Sequence, residues 1–581
     1  MAMILNGTGV SNGIAIGEAV VLQNKKFDIV QLSIPQHEIE YEITRYRDAI
    51  SLAKDNLQEI RQHISKSTPE DIAAFIDAHL LMLYDATLAI TPIDIIKAQL
   101  CNAEWALKIQ KDKLISAFMA MEDPYLRTRS EDIEHVSNSI LALLLEGSES
   151  VTSLSNIPNN KNKILIADDL TPADTVRIQQ QGFIGFIIEA GGPTSHTAIL
   201  ARSLKIPAIV GLSNVLQLIK NNEKIIIDGS TGILITIDCE NLVSFYNKKI
   251  LEYRQYLEKL LSNQNQASIT RDGVKITLRS NIELPNDVKG VKESGSEGVG
   301  LYRTEFLFMN RTDNPSEDEQ YETYIKIAKN IQGQLLTIRT LDLGADKQVD
   351  GVQKDLPSTT NPALGLRAVR LCLKEPQLFT PQLRAILRAS ADYKLRIMIP
   401  MLSNIHELDQ VLNIINNVKN SLDAQKIRYD QNIKIGAMIE VPAAALSSEI
   451  FAQKLDFLSI GTNDLIQYTL AVDRIDESVN YLYDPLNPAV LQLIKMTIDA
   501  GKKYNIPVSM CGEMAGDYRY TCLLLGMGLN EFSMHPNTIP EIKYKIQKCN
   551  LKSIKNQISK LFDDNTVHQC HDILDKLDKI S

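Results

Sequence analysis

The sequence predicts a multidomain α/β protein whose C-terminal half is a (β/α)8 barrel. With 581 residues, the chain is long enough for roughly three or four domains of ordinary size. Its C-terminal half repeats a short apolar segment and a helical stretch eight times, as expected for a barrel with buried parallel strands. A smaller α/β pattern and a long stretch of purely helical periodicity come before it. These changes of period indicate separate domains.

The N-terminal half is predicted to combine a small α/β domain with a helical insertion. Residues 1–24 alternate apolar and small residues, and short apolar strands return later with KILIADDL and EKIIIDG. Between them apolar residues recur every three or four positions, as in AAFIDAHLLMLYD, which is typical of helices. We therefore assign 1–24 plus 149–236 to the α/β domain, 25–148 to an inserted helical bundle and 237–265 to a linker helix.

The barrel domain is assigned to residues 266–581. Barrel enzymes carry their active site at the carboxyl ends of the strands. The residues that end each apolar segment are therefore candidate site residues. The segments expected to form the strands are KITLRSNI, GVGLYRTEF, LLTIRTLDL, LRIMIPML, IKIGAMIEVP, DFLSIGTND, IPVSMCGE and NEFSM.

Composition and charge narrow the class of protein. Hydrophobic residues make up 44% of the chain and charged residues 23%, which is ordinary for a globular protein. The formal net charge of −10 argues against a general affinity for nucleic acid or anionic membranes. Seven cysteines without a CxxC pair suit a reducing cytosol better than a disulfide framework. We expect neither a signal peptide nor a membrane-spanning helix, and a cytoplasmic location.

Polar side chains collect at the ends of the predicted strands. Arginines there favour a ligand with carboxylate or phosphate groups, because a planar guanidinium matches either group with two hydrogen bonds. Carboxylates beside an amide suit Mg2+, which prefers hard oxygen ligands. A small phosphorylated carboxylic acid would use both features; the alternative is that each residue forms a structural salt bridge. The residues are Arg303, Glu305, Arg339, Asp342, Glu440, Asn463, Asp464, Cys511 and Glu513, with Arg367 and Arg474 in neighbouring segments.

Two further residues each admit two interpretations. Cys511 is either a small buried hydrophobe or a proton donor whose pKa responds to neighbouring charge. His196, in GGPTSHTAILARSLKIPAIVG, follows a Gly-Gly turn, and a helical pattern begins directly behind it. Free N–H groups and the dipole at a helix N-terminus favour negative charge, so a phosphoryl group on a nucleophilic imidazole would be stabilised there. The alternative is an exposed histidine at a helix start.

Seven motifs follow one another along the chain: GGPTSHTAILARSLKIPAIVG, GVGLYRTEFLFM, IRTLDLGADK, NPALGLRAVR, IGAMIEVPAAA, FLSIGTNDLIQYTLAVDR and VSMCGEMAGD. In this order they resemble those of a known family, Enzyme I of the bacterial phosphotransferase system, the phosphoenolpyruvate–protein phosphotransferases. The resemblance covers essentially the whole chain and includes EDPYLRTRSEDIEHV in the helical region. The TSH block alone is less specific, since pyruvate phosphate dikinase and phosphoenolpyruvate synthase carry a similar one.

The resemblance implies a swivelling phosphohistidine domain, an HPr-binding helical domain and a phosphoenolpyruvate-binding TIM barrel that forms a homodimer. It implies that phosphoenolpyruvate phosphorylates His196, that Cys511 protonates the enolate as pyruvate forms, and that phosphate then passes to a histidine of the carrier protein HPr. Mg2+ would be held by Glu440 and Asp464. Phosphoenolpyruvate would be bound by Arg303, Arg339, Arg367, Asn463 and Arg474.

The chain departs from the family pattern at two positions. Pro193 stands where many members have arginine, and Ala345 replaces a common glycine. Two alternative functions are weighed against the family's activity. A dikinase or synthase relative would need a nucleotide-binding domain, for which the chain has no room. A non-enzymatic or weakly active regulator would be expected to have lost catalytic groups, whereas these are present.

Overall fold

A computed structural model describes most of the chain, which divides into two compact units, Met1–Tyr256 and Leu257–Ser581. His196, Pro193 and Ala345 lie outside the described residues. The described ranges are 3–22, 29–63, 70–119, 124–146, 162–170, 181–190, 206–309, 313–343, 362–474 and 479–563, with the single positions 174, 178, 311, 476, 574, 576 and 577.

The first unit contains a mixed eight-stranded sheet, and the strand before the helical stretch pairs with strands that follow it. β3 (Ile14–Leu22) is parallel to β4 (Lys163–Ala167) on one side and antiparallel to β7 (Lys224–Asp228) on the other. The helical stretch is therefore an insertion into this sheet. The remaining strands are β1 (Ile4–Asn6), β2 (Thr8–Ser11), β5 (Gly185–Ile188), β6 (Ala208–Val210) and β8 (Ile233–Thr236), and the strand order is β1-β8-β7-β3-β4-β5-β6-β2.

The inserted helices surround an apolar core of their own. Tyr46 is fully buried in it, and its hydroxyl donates to the carbonyl of Leu88 at 2.6 Å, so the one polar atom of that ring is satisfied. The helices are α1 (Ile39–His63), α2 (Glu70–Tyr84), α3 (Ala86–Ala89), α4 (Thr91–Gln99), α5 (Ala103–Met119) and α6 (Pro124–Glu146). After the insertion come α7 (Val215–Leu218) and α8 (Glu240–Ser262), the latter within the predicted linker.

Two expectations about the chain's environment can be compared with the described residues. None of the described helices is by itself long and apolar enough to cross a membrane, although Ile76–Tyr84 with Ala86–Gln99, bent by 58°, meets the length and composition test as a pair. The six cysteines that the structure describes form no disulfide with one another.

The second unit is a closed barrel of eight parallel strands, so the predicted barrel is confirmed. Each of the eight apolar segments contains one of its strands. They are β9 (Thr277–Ile282), β10 (Gly298–Arg303), β11 (Leu335–Arg339), β12 (Leu395–Ile399), β13 (Lys434–Ile439), β14 (Phe457–Ile460), β15 (Val508–Met510) and β16 (Glu531–Met534), which close in the order β10-β11-β12-β13-β14-β15-β16-β9.

Helices cover the outside of the barrel, because the strands are apolar on both faces and must be buried on both. Leu383 and Ile386 in α12, for example, are fully buried in the common core. The helices are α9 (Val288–Glu293), α10 (Glu317–Asn330), α11 (Ala368–Lys374), α12 (Pro376–Ala389), α13 (Ile405–Ala424), α14 (Pro442–Leu446), α15 (Ser448–Lys454), α16 (Thr462–Leu470), α17 (Pro488–Tyr504), α18 (Tyr518–Met527), α19 (Ile539–Lys548) and α20 (Leu551–Asp563).

A buried ion network fills the barrel near the amino ends of its strands. Glu531, the first residue of β16, accepts from Arg279 of β9 at 2.9 Å and from Arg396 of β12 at 2.5 Å. Arg396 also donates to Thr337 and lies over the ring of Phe457 at 4.2 Å. Three strands are thus linked through one carboxylate inside the barrel.

We expect Glu531→Gln to destabilise the barrel by about 3–5 kcal/mol, because it leaves two buried guanidinium groups without their counter-charge. Urea unfolding of the full chain measures this as a lower midpoint for the barrel transition. Glu293→Gln is the matched control, since Glu293 forms an exposed pair with Lys289, which contributes at most about 0.5 kcal/mol. An equal lowering of the urea midpoint by Glu531→Gln and Glu293→Gln would contradict a stabilising role for the buried ion network.

Candidate active site

The predicted site residues lie where the barrel strands end. All eight strands run in the same direction, so their carboxyl ends share one face of the barrel, here called the barrel mouth. α16 begins only two residues after β14 ends, so the first turn of this helix also lies there. Arg303 and Arg339 are the last residues of β10 and β11, Glu440 and Cys511 directly follow β13 and β15, and Asn463 and Asp464 belong to the first turn of α16.

Arg339 is the most deeply buried cation of the mouth, with 8% of its surface exposed. It donates to Glu305 Oε1 at 2.8 Å and pairs with Asp342 Oδ2 at 3.0 Å. Burial alone would lower the pKa of Arg339, but the carboxylates of Glu305 and Asp342 outweigh it and raise this pKa. Among the described residues, Arg339 Nε and Glu305 Oε2 have no hydrogen-bond partner. The mouth therefore holds an ionised guanidinium with one donor still to be satisfied.

Arg367 connects the region after β11 to α16. Its Nη2 lies 2.9 Å from Asp342 Oδ1 and 3.8 Å from Asp464 Oδ2. Its Nη1 donates to the hydroxyl of Tyr468 at 3.3 Å. Asp342 is consequently shared between Arg367 and Arg339, which fixes both guanidinium groups relative to one carboxylate.

Three carboxylates of the mouth could hold a metal ion. One oxygen from each of Asp342, Glu440 and Asp464 lies within 4.8 Å of the others. Glu440 is almost fully buried and accepts the N–H of Met401 at 2.6 Å. Burial first, and then the negative charges of Asp464 and Asp342, raise the pKa of Glu440 above its ordinary value. A Cβ on Gly461 would lie 2.9 Å from Glu440 Oε2. The glycine therefore leaves room beside this carboxylate oxygen.

The charge balance of the mouth fits a divalent cation. Arg339 and Arg367 supply two positive charges, whereas Glu305 and the three carboxylates just described supply four negative ones when ionised. Two negative charges remain, and carboxylate oxygens are the ligands that Mg2+ and similar hard cations prefer. The residues present therefore suit a divalent metal, with Asp342 added to the predicted pair of Glu440 and Asp464.

Cys511 lies inside the barrel beneath the mouth, with 4% of its surface exposed. It belongs to an apolar cluster with Leu301, Met398, Met438 and Phe457. The hydroxyl of Ser459 donates to its Sγ at 3.3 Å. Burial raises the pKa of Cys511 to about 11. The side chain is thus a protonated thiol at neutral pH, so an apolar environment and a proton-donor role are compatible.

The remaining predicted residues lie at the rim and contact other partners. The Asn463 amide donates to Glu513 Oε1 at 2.9 Å, and the Glu513 N–H donates back to Asn463 Oδ1 at 2.8 Å. Arg474 is exposed and its side chain contacts the Tyr483 hydroxyl, which in turn donates to the Asn463 carbonyl at 3.4 Å. The structure thus joins Arg474 to Asn463 through Tyr483. Arg303 pairs separately with Glu283.

Sequence reasoning missed several of these partners. Glu283 directly follows β9, so the strand-end rule could have found it. Asp342 is the second-to-last residue of the segment LLTIRTLDL, and the sequence placed it at the mouth but not among the metal ligands. Tyr468 and Tyr483 lie in the middle of helical or loop segments, where no local pattern distinguishes them.

Comparisons with known proteins agree with this architecture. The family models for PEP-utilising enzymes match as the N-terminal domain over residues 6–129, the mobile domain over 159–232 and the PEP-binding domain over 258–551. The phosphoenolpyruvate-protein phosphotransferase of Cupriavidus necator is 41% identical over 572 residues, 97% of this chain and 98% of that protein. The one from Priestia megaterium is 40% identical over 570 residues, 98% of either chain. This chain belongs to the PEP-utilising enzyme family.

Membership rests on these sequence relatives. An NMR solution structure of Enzyme I (nEIt) is 33% identical and covers 43% of this chain and 99% of that chain, with a TM-score of 0.38. The PEP-binding model spans every strand-end residue of the mouth, and the mobile-domain model spans His196. Enzymes of the PEP-utilising family use a divalent metal ion, for which Asp342, Glu440 and Asp464 are the candidate ligands in this chain.

Alkylation by iodoacetamide is expected to be slow at Cys511 and to rise about tenfold per pH unit from pH 7 to 9. With a pKa of about 11 instead of 9.0, the thiolate fraction is about 100-fold smaller at a given pH. Peptide mass spectrometry after timed labelling of the folded protein measures the rate. The exposed Cys239 is the internal control and should react faster. A Cys511 rate that levels off below pH 9 would show that the thiol ionises more easily than its burial indicates.

Proposed function

We propose that this protein transfers the phosphoryl group of phosphoenolpyruvate to His196, releases pyruvate, and then passes the group to a histidine of an HPr-type carrier protein. The observation that carries the proposal is the cluster at the barrel mouth, where Arg339 and Arg367 flank three carboxylates. Guanidinium groups and a divalent cation are the two features that a phosphorylated carboxylic acid needs. The full-length relatives are named for this activity.

Phosphoenolpyruvate is assigned to Arg303, Arg339, Arg367, Asn463 and Arg474. Two of these arginines pair with carboxylates of the mouth, Arg303 with Glu283 and Arg339 with Glu305. A phosphate or carboxylate would compete for the same guanidinium groups, and Arg339 Nε offers a donor without a described partner. The arginines are therefore preorganised by carboxylates that the substrate's own oxygens can supplement or replace.

Mg2+ is assigned to Glu440 and Asp464, with Asp342 as a third candidate ligand. When bound, it would neutralise negative charge on the phosphoryl oxygens and help to position them. The protein contributes the fixed carboxylate geometry. Arg367 contributes as well, since it lies within ion-pair distance of both Asp342 and Asp464.

The chemistry of the first step balances with the residues assigned. An imidazole nitrogen of His196 attacks phosphorus, the bond between phosphorus and the enol oxygen breaks, and its electron pair forms the enolate of pyruvate. Cys511 donates its proton to the terminal carbon of the enolate, which yields pyruvate and leaves a thiolate that water reprotonates. A thiol with a raised pKa is suited to this role, because it carries its proton at neutral pH.

The finer assignments of partner and place follow from the proposed activity. We assign HPr to the helical insertion, homodimer formation to the barrel unit, and the protein to the cytoplasm. A non-enzymatic regulator is disfavoured, because the mouth retains its arginines, its carboxylates and Cys511. A dikinase or synthase relative would differ in requiring a nucleotide for transfer from phosphoenolpyruvate.

Incubation with phosphoenolpyruvate labelled on phosphorus and with Mg2+, but without nucleotide, is expected to label the protein at His196. The His196→Ala variant should incorporate less than about 1% of the wild-type label, because no other residue replaces the nucleophile. Acid-labile, base-stable label mapped by peptide sequencing identifies phosphohistidine. Adding an HPr protein should then remove the label.

The matched control is His406→Ala, since His406 is an exposed histidine in α13. This variant should incorporate label to the wild-type level. Labelling of His196→Ala at the wild-type level would reject His196 as the acceptor. A strict nucleotide requirement would favour the dikinase alternative.

Removing one carboxylate of the mouth is expected to weaken metal binding. We predict that Asp464→Asn raises the dissociation constant for Mn2+, measured by electron paramagnetic resonance of the free ion, by about tenfold or more, because one charged oxygen ligand is lost. Asp409→Asn is the control, since Asp409 pairs with Lys454 on an exposed surface. Unchanged Mn2+ affinity in Asp464→Asn would place the metal elsewhere.

A further inference from the structure

Two cysteine side chains that are not among the residues of the barrel mouth lie in direct contact. Cys522 is in α18, and Cys549 directly follows α19. Their Sγ atoms are 3.0 Å apart, and both residues are buried in the core of the barrel unit, 1% and 0% exposed. The mechanism proposed above uses neither thiol.

The separation of the two sulfurs distinguishes between two kinds of thiol site. Two thiolate ligands of a tetrahedral metal ion, with metal–sulfur bonds of about 2.3 Å, stay about 3.8 Å apart. A disulfide requires about 2.05 Å. At 3.0 Å the pair is already too close for a shared metal and needs to close by only about 1 Å to form a covalent bond. The geometry favours a disulfide.

We propose that Cys522 and Cys549 are a redox modification site at which a small peroxide converts two thiols into a reversible disulfide. One sulfur attacks the peroxide O–O bond and becomes a sulfenic acid as the first water leaves. The second sulfur then attacks the sulfenic sulfur, the S–S bond forms and a second water leaves. Two thiols lose two electrons and two protons, and one hydrogen peroxide becomes two waters.

Hydrogen bonds and helix packing around the two cysteines fix the positions of their backbones. The carbonyl of Cys549 accepts the N–H of Arg271 at 2.9 Å, and Asp272 next to it accepts the N–H groups of Leu551 and Lys552 at the start of α20. α18 packs directly on α20, since a Cβ on Gly526 would come within 2.4 Å of Ile558. The segments that carry Cys522 and Cys549 are therefore both held in place by neighbouring elements.

The hydrogen bond between the thiols and their burial raise the pKa of Cys549. Attack on peroxide by the thiolate is therefore slow while the helices stay closed. A small uncharged oxidant such as hydrogen peroxide reaches a buried pair of thiols more easily than a bulky disulfide-containing oxidant does. Once formed, the bond links α18 to the turn between α19 and α20 across a 27-residue separation, which restricts the unfolded chain and stabilises the barrel.

The test treats the folded full-length protein with hydrogen peroxide, blocks remaining thiols with N-ethylmaleimide under denaturing conditions, and digests without reduction. Mass spectrometry is expected to find one cross-linked peptide pair that holds Cys522 and Cys549 and disappears with dithiothreitol. The thermal midpoint of the barrel should rise by about 5 °C on oxidation. Neither effect should appear in Cys549→Ser or, as a second variant, in Cys522→Ala.

The buried Cys372 serves as the internal control. It is 0% exposed, and its Sγ contacts the carbonyl of Leu341 rather than another sulfur, so it should remain a thiol under the same treatment. The proposal is overturned if peroxide leaves both cysteines as thiols. The proposal is also overturned if peroxide oxidises Cys522 and Cys549 to sulfinic acid without a cross-link. Disulfides between either of them and another cysteine would overturn it as well.

Discussion

The charge of Arg339 inside the barrel is the constraint from which the organisation of the mouth follows. A buried guanidinium must be paired, since an uncompensated charge in the core costs several kcal/mol. Glu305 and Asp342 supply that pairing. Asp342 then carries a second arginine, Arg367, which contacts α16 through Tyr468 and lies near Asp464. Alternating charges thus extend from β11 to the helix after β14.

This alternation is incomplete at one end. Carboxylates outnumber guanidinium groups there, and Glu440 is the most buried acid of the three candidate ligands. Below it the barrel is apolar around Cys511, and further down Glu531 pairs with two arginines. Polarity therefore changes in layers along the barrel axis, and the thiol occupies the boundary between the apolar layer and the charged mouth.

The sequence predicted what is periodic or local. All eight barrel strands could be found because each is a short apolar run followed by a helical pattern, and the rule that sites lie at strand ends located Arg339, Glu440 and Cys511. Side-chain partners were not predictable, because they join segments far apart in the chain. Arg396 meets Glu531 across 135 positions and Arg367 meets Tyr468 across 101, and such pairings depend on the strand order around the closed barrel. Asp342 was not predicted as a third candidate ligand for the same reason, since its distance from Asp464 is a property of the fold.

The pairing of β3 with β7 has a consequence for the order in which the first unit is made. Ile14 lies opposite Asp228 in that ladder, so an early strand has to wait for 214 residues of synthesis before its partner exists. At translation rates of about 5–20 residues per second, that interval is roughly 10–40 s. The helices of the insertion are complete well before it ends, and their contacts are mostly local, whereas the sheet that flanks them closes late. The ribosome therefore delivers the inserted helices before the sheet into which they are inserted can close.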